Sequence, residues 1–210
     1  RLVSQEVIRL SGIVKEIITG IAKVSSLKDR EYKEKLQQKI QTVQSLDDRI
    51  TEYLANLFSA GVLTEGQATQ TAGIMYVLSD VNRISLLCGD ILSVFSEEAQ
   101  KTKKSVLSKD AARDLEKSLK LIGDMYDASL KVMETGDKDK AAKIIKKRDK
   151  VLELDLKLRK DHMKRVSTGK CKAALTSSFN KILHSIDRMG NSCVNIADAV
   201  MESVDFGYFN

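Results

Sequence analysis

Near the start of the chain the apolar positions recur at alternating intervals of four and three. Val3, Val7, Leu10, Val14, Ile17, Ile21 and Val24 form one seam sustained for three heptads, the spacing of an amphipathic helix that packs into a bundle. The pattern predicts a helix over about 2 to 27. The polar stretch SLKDREYK breaks it, and Leu36, Ile40, Val43, Asp47, Ile50, Leu54 and Leu57 then restore it with one acid inside the seam. This second helix ends near Ala60, before Gly61. LTEGQ opens a third with Thr64 as its N-cap, running to about Val94. The second half repeats the plan: a helix over about 108 to 134 stopped by Gly136, one over 138 to 167 stopped by Gly169, and one over 171 to 203.

The halves also align when shifted by 105 residues, which lays Leu78 on Leu183, Arg83 on Arg188, Cys88 on Cys193 and Ile91 on Ile196. Such self-similarity marks an internal duplication. Short-looped helices with one apolar stripe each bury themselves most simply as antiparallel bundles. The expectation is an all-α fold of six helices in two tandem antiparallel three-helix bundles. They divide as residues 1–100 and 101–210 and pack end to end or side by side.

Composition agrees with long helices and short turns: no Pro, 5% aromatic and 30% charged residues. The three cysteines, Cys88, Cys171 and Cys193, are odd in number and lack a CxxC pair. That argues against a disulfide framework or a structural zinc site and for a reducing, cytoplasmic location. The longest apolar run, seven residues from Ala72 to Leu78, is far below the roughly 18 a membrane span needs. The chain opens on Arg1 with no signal-peptide pattern, so it is expected to be a piece of something longer.

Net charge is +6 and unevenly spread. Between Lys138 and Lys172 there are 14 Lys and Arg against 5 Asp and Glu, a local excess of +9. This run either faces solvent as an ordinary Lys-rich helix surface or meets phosphate, an acidic partner or an anionic membrane surface.

The residues with chemistry emerge from the 105-residue shift, which lays DVNRISLLCGDI (80–91) over SIDRMGNSCVNI (185–196). Asp187 and Asn191 are four apart and share one helix face, and Asn82 occupies the place of Asp187. Two carboxylates at that spacing, with a third from a neighbouring helix, would make an oxygen-rich site for a hard or borderline metal ion. One carboxylate and one amide make a weaker one.

DRMGNSCVNIADAV resembles the signature helix of PhoU-type proteins, whose usual form is Glu-Arg-Ile-Gly-Asp, a short gap, then Asn-Ile-Ala-Glu. RKDHMKRVSTGKCKA (159–173), DDRITEYLANLFSAGVLTEGQ (47–67) and FSEEAQK (95–101) are similar to the PhoU-like domains that follow the membrane part of bacterial sodium/phosphate cotransporters. The resemblance covers nearly the whole chain. It implies a regulatory, non-enzymatic domain at the cytoplasmic face of the cell membrane, attached to transmembrane helices of the same polypeptide that carry sodium-coupled phosphate transport. In such proteins the acidic motifs can hold iron or zinc clusters. Here Asn82 stands where the family has Glu, Leu86 where it has Asp, and Asn191 where it has a second Asp. Asp47 sits at a family acidic position whose counterpart is Leu152, with Asp149 one turn before. Asp47, Asn82, Asp187 and Asn191 therefore read as remnants of a metal site, and no iron or zinc cofactor is expected.

Around these remnants, Arg188 is expected to pair with a nearby acid and Gly190 to let a neighbouring helix approach. Asn195 should hydrogen-bond between helices. His162 and His184 are expected to make structural hydrogen bonds, Cys88 and Cys193 to be buried and inert, and Cys171 to pack or cap at a helix start. No Gly-rich phosphate loop, Ser-His-Asp order or HExxH motif is present. The basic run lacks Tyr and Phe to stack on bases, so nucleic acid is not an expected partner. The expected partners are the transmembrane domain, an anionic membrane surface through 138–172, and a second copy completing the seam of helix one. The alternative is a free-standing PhoU-type adaptor between a phosphate importer and a sensor kinase.

Overall fold

The computed structural model describes residues 2–24, 30–101 and 107–205. It contains six helices: α1 (Leu2–Val24), α2 (Arg30–Ser59), α3 (Glu65–Lys101), α4 (Lys109–Thr135), α5 (Lys138–Ser167) and α6 (Thr176–Met201), with a short 3-10 turn at Ala173–Leu175 before the last. Among the described residues there is no strand.

The helix ends follow local chemistry. Thr64 Oγ1 accepts from the Gln67 N–H while Gln67 Oε1 accepts from the Thr64 N–H, a reciprocal capping box that starts α3. The side chains of Ser108 and Asp137 accept from Ala111 and Lys140 N–H groups and start α4 and α5. Gly136 ends α4 in the left-handed region at φ 64°, its N–H returning to the Val132 carbonyl. Two boundaries differ from the sequence pattern, and the predicted end of the first helix at 27 lies outside the described residues. Helix α3 continues past Val94 to Lys101, because Phe95 and Glu98 are still buried and Ser178 of α6 donates to Glu98 at 2.9 Å. Helix α6 begins at Thr176 rather than 171, because the Lys170 and Cys171 N–H groups are turned back to the Arg165 carbonyl at 2.8 and 3.1 Å.

Helices α1, α2 and α3 pack on one another, as do α4, α5 and α6, and the two sets meet side by side where α3 lies along α6 and α1 along α4. The result is a layer ordered α2, α3, α6, α5, backed by α1 and α4. The pairs Gln70–Ser203, Asp80–Asn195 and Glu98–Ser178 show that α3 and α6 run antiparallel. One continuous apolar cluster spans both sets. Val7, Leu10, Val14, Ile17 and Ile21 of the α1 seam are buried within the chain itself, so that seam is filled without a second copy. Tyr126, also fully buried, donates its hydroxyl to the Ser11 carbonyl at 3.0 Å and ties α4 to α1.

Candidate functional site

The four remnant residues fall into two pairs, one in each half. In the first, Asn82 on α3 donates its amide to the Asp47 carboxylate on α2 at 2.7 Å. Partial burial raises the Asp47 carboxyl above its ordinary range, with the Asn82 hydrogen bond opposing and the neighbouring Asp48 charge adding to the shift. In the second, Arg148 on α5 donates from Nη2 to Asp187 at 2.6 Å and from Nε to Asn191 at 2.5 Å, both on α6. One guanidinium thus spans both polar residues of that turn, a fork suited to two acceptors side by side.

This geometry decides whether the residues fit a metal centre. The Asp187 carboxylate and the Asn191 oxygen already accept from a fixed cation, and a metal ion there would have to displace it. Asp47 has only an amide for company, although the buried Asn82 Oδ1 is left without a partner. Leu86 and Leu152, at the family's other ligand positions, are apolar and exposed, and Asp149 is exposed on α5. No group of three or more His, Cys, Asp or Glu side chains converges among the described residues. The residues do not fit a multinuclear iron or zinc site, which needs several anionic oxygens around each ion.

Arg188, expected to pair with a nearby acid, is exposed and in no described ion pair, and the neighbouring Asp187 is held by Arg148. Arg148 carries no distinguishing signal in the sequence, being one of 14 cations in the basic run. Gly190 does lie under a neighbouring helix: a Cβ there would come within 3.3 Å of Val151 on α5 and 3.4 Å of Ile122 on α4. Asn195 makes the expected inter-helix bond, donating at 3.1 Å to Asp80, whose side chain is buried at the α3–α6 seam. Asp80 itself went unmarked, though an acid set among Val77, Leu78 and Val81 was a usable signal.

The segment that resembles the transporter-linked subgroup forms a second cluster at the junction of α5 and α6. His162 stacks on Phe179 with ring centroids 4.4 Å apart, and its Nε2 lies 3.1 Å from the Thr176 hydroxyl. Arg165 pairs with Asp114 of α4 at 2.8 Å and lies over the same Phe179 ring. Arg159 holds Asp155 and reaches Asn180 of α6. Burial and the Arg165 charge lower the His162 pKa. His184, in contrast, is exposed and makes no described hydrogen bond. Cys88 and Cys193 are buried, and that burial pushes both thiols far above their usual range, while Cys171 sits half-buried in the turn before α6 rather than at a helix start.

Among the described residues no helix is long and apolar enough to cross a membrane. No curated protein matches the chain. Residues 102–200 match the family model described as the PhoU domain. The whole fold is similar to the crystal structure of PhoU from Pseudomonas aeruginosa, with a TM-score of 0.83 and 13% identity over 96% of this chain and 95% of that one. It is also similar to the phosphate transport system regulatory protein PhoU from Streptococcus pneumoniae, with a TM-score of 0.78 and 18% identity over 95% of this chain and 91% of that one. The fold is thus similar to that of PhoU along almost the whole chain, and residues 102–200 match the PhoU domain model.

Proposed function

We propose that the chain is a non-enzymatic regulator of phosphate transport, the cytoplasmic domain of a sodium-dependent phosphate transporter whose membrane part lies elsewhere in the polypeptide. The observation that carries the regulatory reading is the PhoU domain match in residues 102–200, supported by the likeness of fold to two PhoU structures. The transporter context rests on the segment 159–173. Its Arg159, His162 and Arg165 are built into the α4–α5–α6 junction, where a domain-specific motif would stabilise the fold. The domain acts through helix surfaces, and the basic stretch 138–172 suits contact with a membrane part or anionic headgroups. Its Asp47–Asn82 and Arg148–Asp187–Asn191 groups work as inter-helix ties without iron or zinc.

The free-standing adaptor is the second reading, favoured by the likeness of fold to PhoU from Pseudomonas aeruginosa and to the phosphate transport system regulatory protein PhoU from Streptococcus pneumoniae. Radiolabelled phosphate uptake separates the two. Cells carrying the intact gene should take up phosphate with sodium dependence, and in-frame removal of residues 1–210 should leave uptake in place but abolish its down-regulation by abundant phosphate. Absence of any sodium-dependent uptake from the intact gene overturns the transporter reading in favour of the adaptor.

A further inference from the structure

On α5, Leu152, Leu156 and Met163 are 48%, 61% and 55% exposed, and their spacings of four and seven set them on one stripe. Lys160 stands on the same stripe between Leu156 and Met163, and Lys164 follows one turn later, both exposed and in no described ion pair. Lys157 is held by Asp161 at 2.6 Å. The exposed acids Asp149 and Glu153 lie toward the start of the stripe, so the cationic end is the C-terminal one, continued by exposed Lys170 and Lys172 in the turn beyond.

We propose that this stripe, Leu152, Leu156 and Met163 with Lys160 and Lys164, is a contact surface for an anionic lipid bilayer. The inference rests on the reading of the chain as a domain that works beside a membrane. Large apolar side chains left in water beside lysines are the arrangement by which an amphipathic helix lies in a bilayer interface, with the apolar groups entering the acyl boundary and the ammonium groups remaining among headgroup phosphates. The flanking cations are lysines, hydrated point charges suited to a diffuse anionic surface. Arginine would be the choice for forked pairing with a single carboxylate, and the chain uses it that way at Arg159, which holds both oxygens of Asp155. A helical protein partner would seek a groove. Two grooves of the described surface lie around Ile18 and Gly123 between α1 and α4, and around Val3 and Ile50 between α1 and α2, whereas the α5 stripe belongs to the outermost helix of the layer.

The test is flotation of the 210-residue chain with vesicles of phosphatidylcholine alone or with about one-third phosphatidylglycerol. The wild type should float only with the anionic vesicles and be released by salt. Lys160→Glu/Lys164→Glu should weaken partitioning by tenfold or more, and Leu156→Ser/Met163→Ser, which keeps the charge, by about fivefold. All these positions are exposed, and circular dichroism verifies that the variants stay folded. Equal partitioning of the Leu156/Met163 variant reduces the contact to charge adsorption and overturns the proposal. So does a wild type that ignores vesicles, including one that instead binds an acidic amphipathic peptide. Vesicle binding is read on the isolated chain and phosphate uptake in cells, so either reading can fail while the other stands.

Discussion

The Arg148 guanidinium on α5 meets the Asp187 carboxylate on α6 at 2.6 Å, with both side chains about three-quarters buried. By the 105-residue shift Asp187 is the counterpart of Asn82, and the two halves satisfy the same position differently. Asn82 brings its own donor to Asp47, whereas Asp187 receives one from Arg148. In each half the tie joins a flanking helix to the central α3–α6 pair, so polar groups that resemble ligands serve as cross-links.

Removing the guanidinium leaves the Asp187 charge and the Asn191 oxygen partly buried without their donor. Arg148→Met should lower stability by about 1–3 kcal/mol. Arg148→Met/Asp187→Leu should recover part of the loss, because the unpaired charge is then gone. Urea midpoints of the four members of this cycle measure the coupling. In protein prepared without chelators, elemental analysis should find no stoichiometric iron or zinc. More than one such ion per chain would mean that metal, rather than Arg148, holds this turn.

A similar argument applies at the seam between the two halves. Asp80 is almost fully buried and accepts from Asn195, with the Arg83 guanidinium 4.0 Å away and half exposed. Asn195→Ala removes the close donor and should cost about 1–3 kcal/mol, while Arg83→Ala should cost less, since an exposed cation at that distance contributes little. Because one apolar cluster runs through both halves, the chain should unfold in a single transition. Two resolved transitions in Asn195→Ala would show that the halves are held together mainly by this bond.

Much of the fold was legible because it rests on local rules. The α1 seam, the Thr64–Gln67 capping box and the stops at Gly61, Gly136 and Gly169 are short-range patterns, and each glycine adopts the positive φ its place requires. What escaped depends on distant partners. Glu98 falls past the predicted end of the third helix, and its burial is evident only once Ser178, 80 positions away, is brought to it. Arg148 reads as one more cation of a basic run, and only the antiparallel register of α5 and α6 shows that it turns inward while Lys160 and Lys164 face out. Arg188, next to Asp187 in the sequence, was expected to pair with a nearby acid. Consecutive helix positions point about 100° apart, however, and Arg188 faces solvent.

His162 gives the fold a pH dependence whose sign can be derived. Burial and the Arg165 charge lower its pKa in the folded state, so the native chain binds that proton less readily than the unfolded one, where histidine titrates near about 6.5. The stability associated with neutral His162 is therefore complete above that value and is lost as pH falls through the lowered folded pKa. Asp114 lies opposite Arg165 at 2.8 Å and tempers the field without removing the burial. Denaturation midpoints should fall between pH 7 and pH 5, and His162→Gln, which retains a partner for Thr176, should flatten that slope. An unchanged slope in the variant would assign the pH dependence to other groups.

Gly190 tests how tightly the second half is packed. A methyl group there would sit 3.3 Å from Val151 Cγ1 and 3.4 Å from Ile122 Cδ1, both ends of side chains that can shift by a few tenths of an ångström. Alanine also favours a helix interior over glycine by about 1 kcal/mol, so the two effects nearly cancel and Gly190→Ala should lie within about 1 kcal/mol of the wild type. Valine adds two further carbons against the same neighbours and should cost about 1–3 kcal/mol through overpacking. The cost should come with a loosening of the Arg148–Asp187 tie, because Val151 lies on α5 one turn beyond Arg148 and moves with it. Hydrogen exchange reads this directly: Gly190→Val should speed exchange in α5 and α6 around Val151 and Asp187 while leaving α1 and α2 as in the wild type. Uniform acceleration across all six helices would show instead that the strain spreads through the shared core.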